Sequence, residues 1–389
     1  MKKKGFMLGA LALVMMVTGC GKQTESEQGE TTRDFCRVGA TAGVYTLSDN
    51  GFLWINLDNR LCYLDFSTGE TVYLCNKEGC NHTTENCDAY VRDIGGTSAF
   101  FYDGSLYIVG SGYNEMSLWK ADVDGTNRRA VIENVEANMP ANMTLIGDKL
   151  YLTAYVCVEP EEGDHVTAMK EYYVLLEFDL KNEKSTVIAS YEDNMNTIID
   201  SMYSDGEKIY YITSTASEDV SEIFAQTNED GTSFEDELYD IQKECELCSY
   251  DPKTGNTETL YEKSLPYLNV CSLYGVDSDM GCFMVTYDDG FFWIKDGTQT
   301  GTSIDEDNFQ LLLSDKYIVF YDNLESIVNV YDKSTCEVVY TESVDGDTYS
   351  LLGTVENKLC FFSYGTGIKM DFFYIDVDEI LTESSEAEE

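Results

Sequence analysis

The sequence is poor in proline, histidine and basic side chains. Its 389 residues include four prolines and two histidines, and 25 lysines and arginines stand against 71 aspartates and glutamates, for a formal net charge of −46. The shortage of proline, together with 28 tyrosines and 18 phenylalanines, favours β-strands. The negative charge is spread along the chain, so it predicts no binding to nucleic acid and either a solubilising acidic surface or cationic partners.

Motifs of several enzyme classes are also missing. The sequence has no Gly-x-Ser-x-Gly element and no phosphate-binding loop, and with only His82 and His165 a Ser-His-Asp triad has little support. Residues 286–293 fit the Asp-box of sialidases, which is a structural hairpin, but all six arginines precede residue 130. Because a sialidase needs an arginine triad for its substrate carboxylate, we do not expect that activity.

No apolar run is long enough to span a bilayer comfortably, since a spanning helix needs about 20 residues. Residues 5–17 are apolar and follow three lysines. The run ends at Val17, and Thr18, Gly19 and Cys20 come next, which indicates a signal peptide over residues 1–19. These last residues resemble the lipobox of bacterial lipoproteins. The resemblance implies that Cys20 is diacylated and anchors the mature chain to the outer face of the cell membrane. The alternative is an ordinary signal peptide with a chance cysteine.

Two further segments are expected to be unstructured. Residues 20–32 are polar and nearly free of apolar side chains, as a flexible tether should be. Residues 383–389 form a short acidic tail that we expect to be disordered. The folded domain is therefore predicted to cover residues 33–382.

An internal repeat organises this domain. Each unit has an apolar run that ends in Asp, a short turn and a β-branched run, and an aromatic-rich run precedes it. The marker aspartates are Asp65, Asp122, Asp179, Asp251, Asp332 and Asp376, with a degenerate copy near Asp296. A weaker third run precedes these signals, so each unit is expected to contain four strands.

Seven such units predict an all-β fold, a seven-bladed β-propeller of four-stranded antiparallel blades. Its blades would cover the apolar faces of one another. A stacked β-sandwich is the alternative, but it gives no reason for units that repeat in one order. If the last strand, near residues 377–381, is too short, residues 33–38 could complete the seventh blade.

The repeats resemble irregular bacterial propellers that are loosely related to WD-repeat and TolB-type propellers, and this implies the fold alone. More narrowly, the chain is similar to uncharacterised propeller lipoproteins of gut Firmicutes. Those proteins carry a similar Cys-x4-Cys-x-His segment after the first blade. No defined activity comes with this resemblance.

Long loops predict where a binding site lies. Three excursions, 76–96, 157–172 and 214–246, are expected on one face of the propeller, and loops this long are usually functional or disordered. In the longest, Phe234, Leu238, Ile241 and Cys245 recur at helical spacing. We predict a short helical insertion there, which either packs flat on the rim or serves as a lid or docking helix.

The most specific chemical cluster consists of Cys75, Cys80, His82 and Cys87. Four such groups can close a tetrahedral Cys3His zinc site, although the spacing is not that of a standard zinc knuckle. Outside the cell a disulfide between two of these thiols competes, and unligated thiols are the third possibility. Either zinc or a disulfide would staple the loop rather than catalyse a reaction.

Other candidate residues have simpler interpretations. Cys245 and Cys248 form a Cys-x-x-Cys pair, but an odd separation on a strand points the side chains apart, so redox or metal use is not expected. Asp122 and Asp124 could hold calcium, yet turn aspartates form local hydrogen bonds in any case. Cysteines within apolar runs, such as Cys282, are expected to be small buried hydrophobes.

Together these observations predict a membrane-tethered, extracytoplasmic monomer that acts as a non-catalytic binding or scaffolding module. Its partner would be a glycan, a peptide or an envelope protein, and structural zinc is the one cofactor considered. The alternative is a carbohydrate-active enzyme, a hydrolase or lyase that uses propeller carboxylates. A third possibility is an assembly factor for envelope proteins, since fold alone does not decide function.

Overall fold

The structure is a computed structural model of the chain. It describes residues 34–37, 44–48, 50–158, 170–220, 238, 240–306, 309–322, 325–344, 350–355, 358–364 and 370–386. The predicted signal peptide, Cys20, the tether and His165 lie outside these residues. No described helix combines the length and the apolar character that a bilayer crossing requires.

The described residues form 28 strands in six sheets. The first sheet contains β1 (Asp34–Arg37), β2 (Val44–Leu47), β3 (Gly51–Ile55), β4 (Leu61–Asp65), β5 (Glu70–Tyr73), β6 (Gly96–Tyr102), β7 (Ser105–Gly112), β8 (Glu115–Ala121) and β9 (Arg129–Val135). The second contains β10 (Asn138–Ile146), β11 (Lys149–Val158), β12 (Lys170–Asp179) and β13 (Lys184–Ser190). The third contains β14 (Thr197–Ser204), β15 (Ile209–Ala216), β16 (Gln242–Asp251) and β17 (Asn256–Pro266).

The remaining sheets follow the same order along the chain. The fourth contains β18 (Cys271–Asp277), β19 (Gly281–Thr286), β20 (Gly290–Lys295) and β21 (Thr298–Gly301). The fifth contains β22 (Phe309–Leu313), β23 (Tyr317–Asp322), β24 (Ile327–Asp332) and β25 (Val338–Ser343), and the sixth contains β26 (Ser350–Val355), β27 (Lys358–Tyr364) and β28 (Met370–Asp376). A 3₁₀ turn (Arg92–Ile94) precedes β6, and helix α1 (Val377–Glu386) follows β28.

The marker aspartates explain why the hairpins repeat. The Asp65 carboxylate accepts the backbone N–H of Ser67 at 2.7 Å and that of Thr68 at 3.1 Å, which closes the turn between β4 and β5. In the same way, Asp179 and Asp332 accept from the backbone N–H groups two and three residues further along the chain. Such local hydrogen bonds favour a tight turn at this point of each repeat.

The prediction of seven separate blades is wrong, because the structure has six. The first strands of the first two repeats, β2 and β6, run parallel and pair at Val44 and Ser98. This pairing merges two repeats into one nine-stranded sheet of order β5-β4-β3-β2-β6-β7-β8-β9, with β1 bonded to β2. The next four sheets are the four-stranded antiparallel blades that the repeat predicts, and the sixth has three described strands. The all-β propeller is therefore confirmed with a corrected number of blades.

Apolar clusters fill the spaces between successive sheets. Phe100 and Phe178 lie in a buried cluster that joins the first sheet to the second. At the other end of the chain, Phe362 of β27 packs beside Tyr45 and Phe52 of the first sheet, with ring centroids 6.2 and 6.1 Å apart. Since burial of each such aromatic side chain contributes roughly 1.5–3 kcal/mol, side-chain packing alone can close the propeller.

The chain ends differ from the predictions. Residues 377–381 lie in helix α1 instead of a last strand, and Lys316 and Tyr317 bond to its Asp378 at 2.8 and 2.7 Å. The helix extends through Glu386, past the predicted end of the domain at residue 382. Residues 34–37 pair with β2 and do not complete the last blade.

The helical insertion predicted between β15 and β16 is wrong at Cys245, although Leu238 and Asp240 are helical. Strand β16 begins at Gln242, so Cys245 lies in a strand, where it pairs with Ser214 of β15 and Lys263 of β17. Bonding to neighbours on both sides holds this part of the chain extended, whatever the helical spacing of its apolar residues. Phe234 lies outside the described residues.

The topology separates two ends of the blades. The first strands of successive blades lie side by side, and the strands alternate in direction within each blade. The loops between second and third strands and the connections between repeats therefore share one face, which we call the loop face. The described flanks of the three predicted excursions all belong to it.

Candidate metal centre

The predicted Cys3His residues lie together in the connection from β5 to β6. Cys75, Cys80, His82 and Cys87 each offer one ligand atom, and these atoms all lie within 4.8 Å of one another. The Nδ1 of His82 is 3.3 Å from the Sγ of Cys87. Cys87 is buried and the other three side chains are half-buried. This Cys3His cluster could hold a metal ion.

Two left-handed residues fold the connection back on itself. Gly79 has a φ of 70° and His82 a φ of 54°, a conformation that glycine adopts freely and other residues adopt rarely. The N–H of Cys80 donates to the carbonyl of Lys77 at 3.1 Å, and the N–H of His82 donates to the Sγ of Cys80 at 3.4 Å. These turns bring Cys80 and His82 next to Cys75.

The end of the connection is bonded to strand β4. The N–H of Leu61 donates to the carbonyl of Ala89 at 2.8 Å, and the N–H of Val91 donates to the carbonyl of Asn59 at 3.0 Å. Between these bonds the Arg60 guanidinium lies 5.5 Å from the centre of the Tyr90 ring. The residues after Cys87 are thus fixed to the first repeat.

The second repeat holds the same segment through Arg128, in the turn between β8 and β9. Its guanidinium donates to the carbonyl of Tyr90 at 2.9 Å and to that of Asp88 at 2.5 Å. Gly125 of this turn comes so close that an added Cβ would lie 2.7 Å from the carbonyl oxygen of Leu74. The Cys3His cluster therefore lies between two repeats, each of which bonds to its backbone.

Hydrogen bonds make the thiols of the cluster unequal. Burial raises the pKa of the Cys75 thiol, but backbone bonds from Lys77 and Asp88 and thiol bonds from Cys87 and Cys80 outweigh it, so the pKa lies below its usual value. Burial raises the pKa of Cys87 to about 11, and the bonds to Cys75 and Cys80 act in the same direction. The cluster thus favours a thiolate at Cys75, and a thiolate is the form that binds metals.

Sequence analysis missed the groups that hold the cluster in place. Arg128 contacts residues about forty positions earlier in the chain, and no sequence pattern links it to them. The Tyr73 ring lies 4.9 Å from the His82 ring, although Tyr73 resembles any other strand tyrosine in the sequence. Only the pairing of the two repeats brings Arg128 near the cysteines.

The other motifs have structural roles. Cys245 and Cys248 lie in different apolar clusters, as expected for an odd spacing on a strand. In the Asp-box, Asp289 bonds to Thr286 across the turn from β19 to β20, at 3.1 Å between side chains. Asp122 accepts from Asn127 at 2.6 Å and Asp124 from Thr126 at 3.0 Å within their own turn, and Asp124 also accepts from the side-chain amide of Asn76 at 3.4 Å.

Two clefts lie away from the Cys3His cluster. One of about 440 Å³ lies between β25, β28 and α1, and Glu342 and Asp376 contribute to its walls. The other, of about 290 Å³, lies between the second and third sheets beside Asp148 and Asp179. Asp179 already bonds to its own turn, and neither cleft contains a residue that sequence analysis proposed as a site.

Comparison with solved structures supports the fold. A prolyl endopeptidase matches 90% of this chain and 48% of its own, with 12% identity and a TM-score of 0.52. An acylaminoacyl peptidase in complex with a chloromethyl ketone (13% identity, 91% of this chain, 54% of that chain) and the acylaminoacyl peptidase of Pyrococcus horikoshii (14%, 90% and 51%) both have TM-scores of 0.48. The chain spans about half the length of these enzymes. No protein-family model and no curated protein matches it.

Proposed function

We propose that this chain is a lipid-anchored, extracytoplasmic β-propeller that binds a cationic polypeptide through its loop face. In this proposal a zinc ion in the Cys3His cluster fixes the connection between the first two repeats. The observation that carries the binding function is the position of the exposed apolar side chains.

Half of these side chains lie in or beside loop-face segments. The described residues include twelve large apolar side chains that are exposed, and six of them lie at this end of the blades, with exposed fractions from 40% to 101%. They are Leu57, Tyr113, Met139, Met195, Val270 and Tyr287. Exposed apolar groups that gather on one side of a molecule mark interaction sites, whereas isolated ones need no explanation.

The chemistry of this face favours a polypeptide over a glycan. Tyrosine and methionine are enriched where proteins meet. Trp54 and Trp293 are each 4% exposed and Trp119 is half-buried, so these residues offer no open indole ring for stacking on a sugar. Exposed acids accompany the apolar groups, and the chain carries a net charge of −46, which favours a cationic partner. The exposed loop-face acids include Asp58, Glu192, Asp193 and Glu218.

Binding rather than catalysis fits the metal centre. Zinc–sulfur bonds of about 2.3 Å and zinc–nitrogen bonds of about 2.0–2.1 Å place tetrahedral ligand atoms roughly 3.5–3.8 Å apart. The ligand atoms of the Cys3His cluster already lie within 4.8 Å, so small movements would complete the site. Four protein ligands leave no position for a substrate, which is typical of structural zinc.

Zinc is also the better proposal than a disulfide at this site. His82 would have no role in a disulfide, although its Nδ1 lies 3.3 Å from the Sγ of Cys87. Metal analysis of protein purified without added zinc or chelator tests this directly. One zinc per chain is expected, and its absence together with a bridged pair of these cysteines would refute it.

A peptide-binding experiment tests the loop face. A labelled short peptide of alternating lysine and leucine should bind the wild type, and its glutamate–leucine counterpart should not. The double variant Leu57→Ser, Tyr287→Ser should bind at least about tenfold more weakly, a loss of roughly 1.4 kcal/mol. Val187→Ser is the matched control, since Val187 is 57% exposed on the outer strand β13. Equal loss in both variants would show that the peptide binds without preference for the loop face.

The membrane anchor needs its own test. Mass spectrometry of the N-terminal peptide from the membrane fraction should find a diacylated cysteine at position 20. The Cys20→Ala variant should carry no lipid. A mature protein that begins elsewhere, or that carries no lipid, would contradict the proposed anchor without affecting the loop-face proposal.

A further inference from the structure

A second pair of thiols lies far from the Cys3His cluster. Cys245 belongs to β16, the third strand of its blade, and Cys271 to β18, the first strand of the next blade. Their exposed fractions are 1% and 3%, and both belong to the apolar cluster between these two blades. The two thiols form a side-chain hydrogen bond with each other. They meet only because the two blades pack face to face.

The surroundings make Cys245 the more acidic of the two. The hydrogen bond from Cys271 lowers the pKa of Cys245 to about 7, against the effect of burial, and Ser214 and the charge of Lys243 add to the shift. The Oγ of Ser214 lies 3.4 Å from the Sγ of Cys245. The same thiol–thiol bond, with burial, raises the pKa of Cys271. Cys245 is thus the more acidic of the two thiols in the folded chain.

We propose that Cys245 and Cys271 are a disulfide site that joins the third and fourth sheets when the chain meets a disulfide oxidant. One of the two thiols loses its proton, and its thiolate attacks one sulfur of the oxidant, forms a mixed disulfide and releases the first thiolate. The other thiol then loses its proton, attacks the protein sulfur of the mixed disulfide and releases the second thiolate. Two protein thiols are oxidised to one disulfide, and one oxidant disulfide is reduced to two thiols.

Burial determines when this reaction occurs. With exposed fractions of 1% and 3%, the sulfurs are not open to an oxidant in the folded protein. The bond therefore forms before the two blades pack together, or during a transient separation of them. Once formed, the same burial protects it from reductants. It links segments on different blades, so it restricts the unfolded chain and stabilises the ring.

Cys248 provides an internal comparison three residues away. It lies in the cluster on the other side of the blade, where burial raises its pKa to about 11 and Thr259 and Tyr211 are its hydrogen-bonding neighbours. Like Cys245, it is buried and lies in β16. The described residues of its own cluster include no second cysteine. An oxidant that modifies buried cysteines at random would treat the two alike.

Cysteine mapping tests the proposal without reference to the partner or the lipid. Full-length mature protein is refolded with zinc present, in oxidised glutathione or in dithiothreitol, and is then alkylated, digested and analysed by mass spectrometry. The oxidised sample should contain one cross-linked peptide that joins residues 245 and 271, lighter by two hydrogens, with Cys248 alkylated. Cys245→Ser and Cys271→Ser should each abolish it, and Cys248→Ser should not.

The folded protein supplies the second measurement. Oxidised glutathione added to the folded, reduced chain should form the bond at least about tenfold more slowly than during refolding, because both sulfurs are buried. Full alkylation of Cys245 and Cys271 after oxidative refolding would overturn the proposal, and so would a Cys245–Cys248 bridge. Zinc content measured on the same samples keeps this outcome separate from that of the Cys3His cluster.

Discussion

Two junctions of the first sheet are built in different ways. Its own two repeats join through the β2–β6 backbone pairing, a buried apolar cluster to which both contribute, the Cys3His cluster and the Arg128 guanidinium, and we call this the loop junction. It meets the last sheet through buried side chains that are mostly aromatic, among them Phe52, Phe362 and the stacked pair of Phe66 and Phe372, and we call this the closure junction. The loop junction adds polar contacts to its buried area, whereas the closure junction depends on buried area.

The difference shows how one propeller can combine two kinds of junction. Burial of apolar surface is non-directional, so the closure junction needs no strand pairing to bring the chain ends together. The loop junction contains a long connection with few large apolar side chains, and it must fix its backbone by hydrogen bonds and, as proposed, by a metal. Mutations at the two junctions should therefore respond to different solution conditions.

The largest effect is expected at the closure junction. Phe362→Ala removes a fully buried ring and leaves a cavity, which should lower the free energy of unfolding by about 3–5 kcal/mol. Denaturant unfolding measures the loss. Tyr374→Ala is the control, because that ring is 55% exposed on the neighbouring strand β28. Similar losses in both variants would mean that buried aromatic packing does not close the ring.

Zinc should act on the loop junction alone. Zinc at about one hundred times its dissociation constant should raise the free energy of unfolding by about 2.7 kcal/mol in the wild type and in Phe362→Ala. Cys87→Ser should show no such increase, since it removes one of the four ligands. Unfolding in zinc buffers and in chelator gives the comparison. An equal response of Cys87→Ser would place the metal elsewhere.

Arg128→Ala should weaken the loop junction more mildly. It leaves the carbonyls of Tyr90 and Asp88 without their donor, which should cost about 1–3 kcal/mol. Because those residues follow Cys87 directly, zinc affinity should also fall by about tenfold. Arg129→Ala is the matched control: this neighbouring arginine pairs with Glu183 at the surface and should change neither quantity. An effect of Arg129→Ala as large as that of Arg128→Ala would remove the proposed role of Arg128.

The smallest effect should be the same at two hairpin turns, that of Asp65 in the first sheet and that of Asp332 in the fifth. A hydrogen bond from Ser67 to Asp65, and from Ser334 to Asp332, holds the pKa of each carboxyl below its usual value. A folded pKa that is depressed adds stability above the unfolded pKa of about 3.9, and this stability is lost as the pH falls through the folded pKa. Alanine at either position should cost about 1 kcal/mol at pH 7.

Denaturant unfolding from pH 7 to pH 3 checks this expectation. Each alanine variant should lose less stability than the wild type over this range, because the titrating group is gone. Unequal losses of stability in the Asp65 and Asp332 variants would show that the two turns are not equivalent.

The repeat and the donor cluster were accessible from the sequence because both are local. The marker aspartates predict the turns that they close, as at Asp65 and Asp332, and Cys75, Cys80, His82 and Cys87 lie within one short segment. The four-stranded antiparallel blades follow from the same pattern. Local hydrogen bonds and short spacings depend little on the rest of the molecule.

Contacts between distant segments were not accessible. The β2–β6 pairing depends on how closely two first strands approach, and it reduced the seven predicted blades to six. The helical spacing that relates Cys245 to Leu238 was overridden at Cys245 by the strands on either side of β16. Residues 377–381 continue an apolar strand pattern in sequence, yet they form a helix whose Asp378 bonds to the preceding blade.

The position of β1 has a mechanical consequence. Four residue pairs join it to β2, and β2 is also bonded to β3 and β6. Tension on the N-terminus would therefore peel β1 away one pair at a time, at low force. Unfolding would stop at β2, which stays bonded to β3 and β6. The propeller would therefore keep its fold while the segment that precedes it becomes longer.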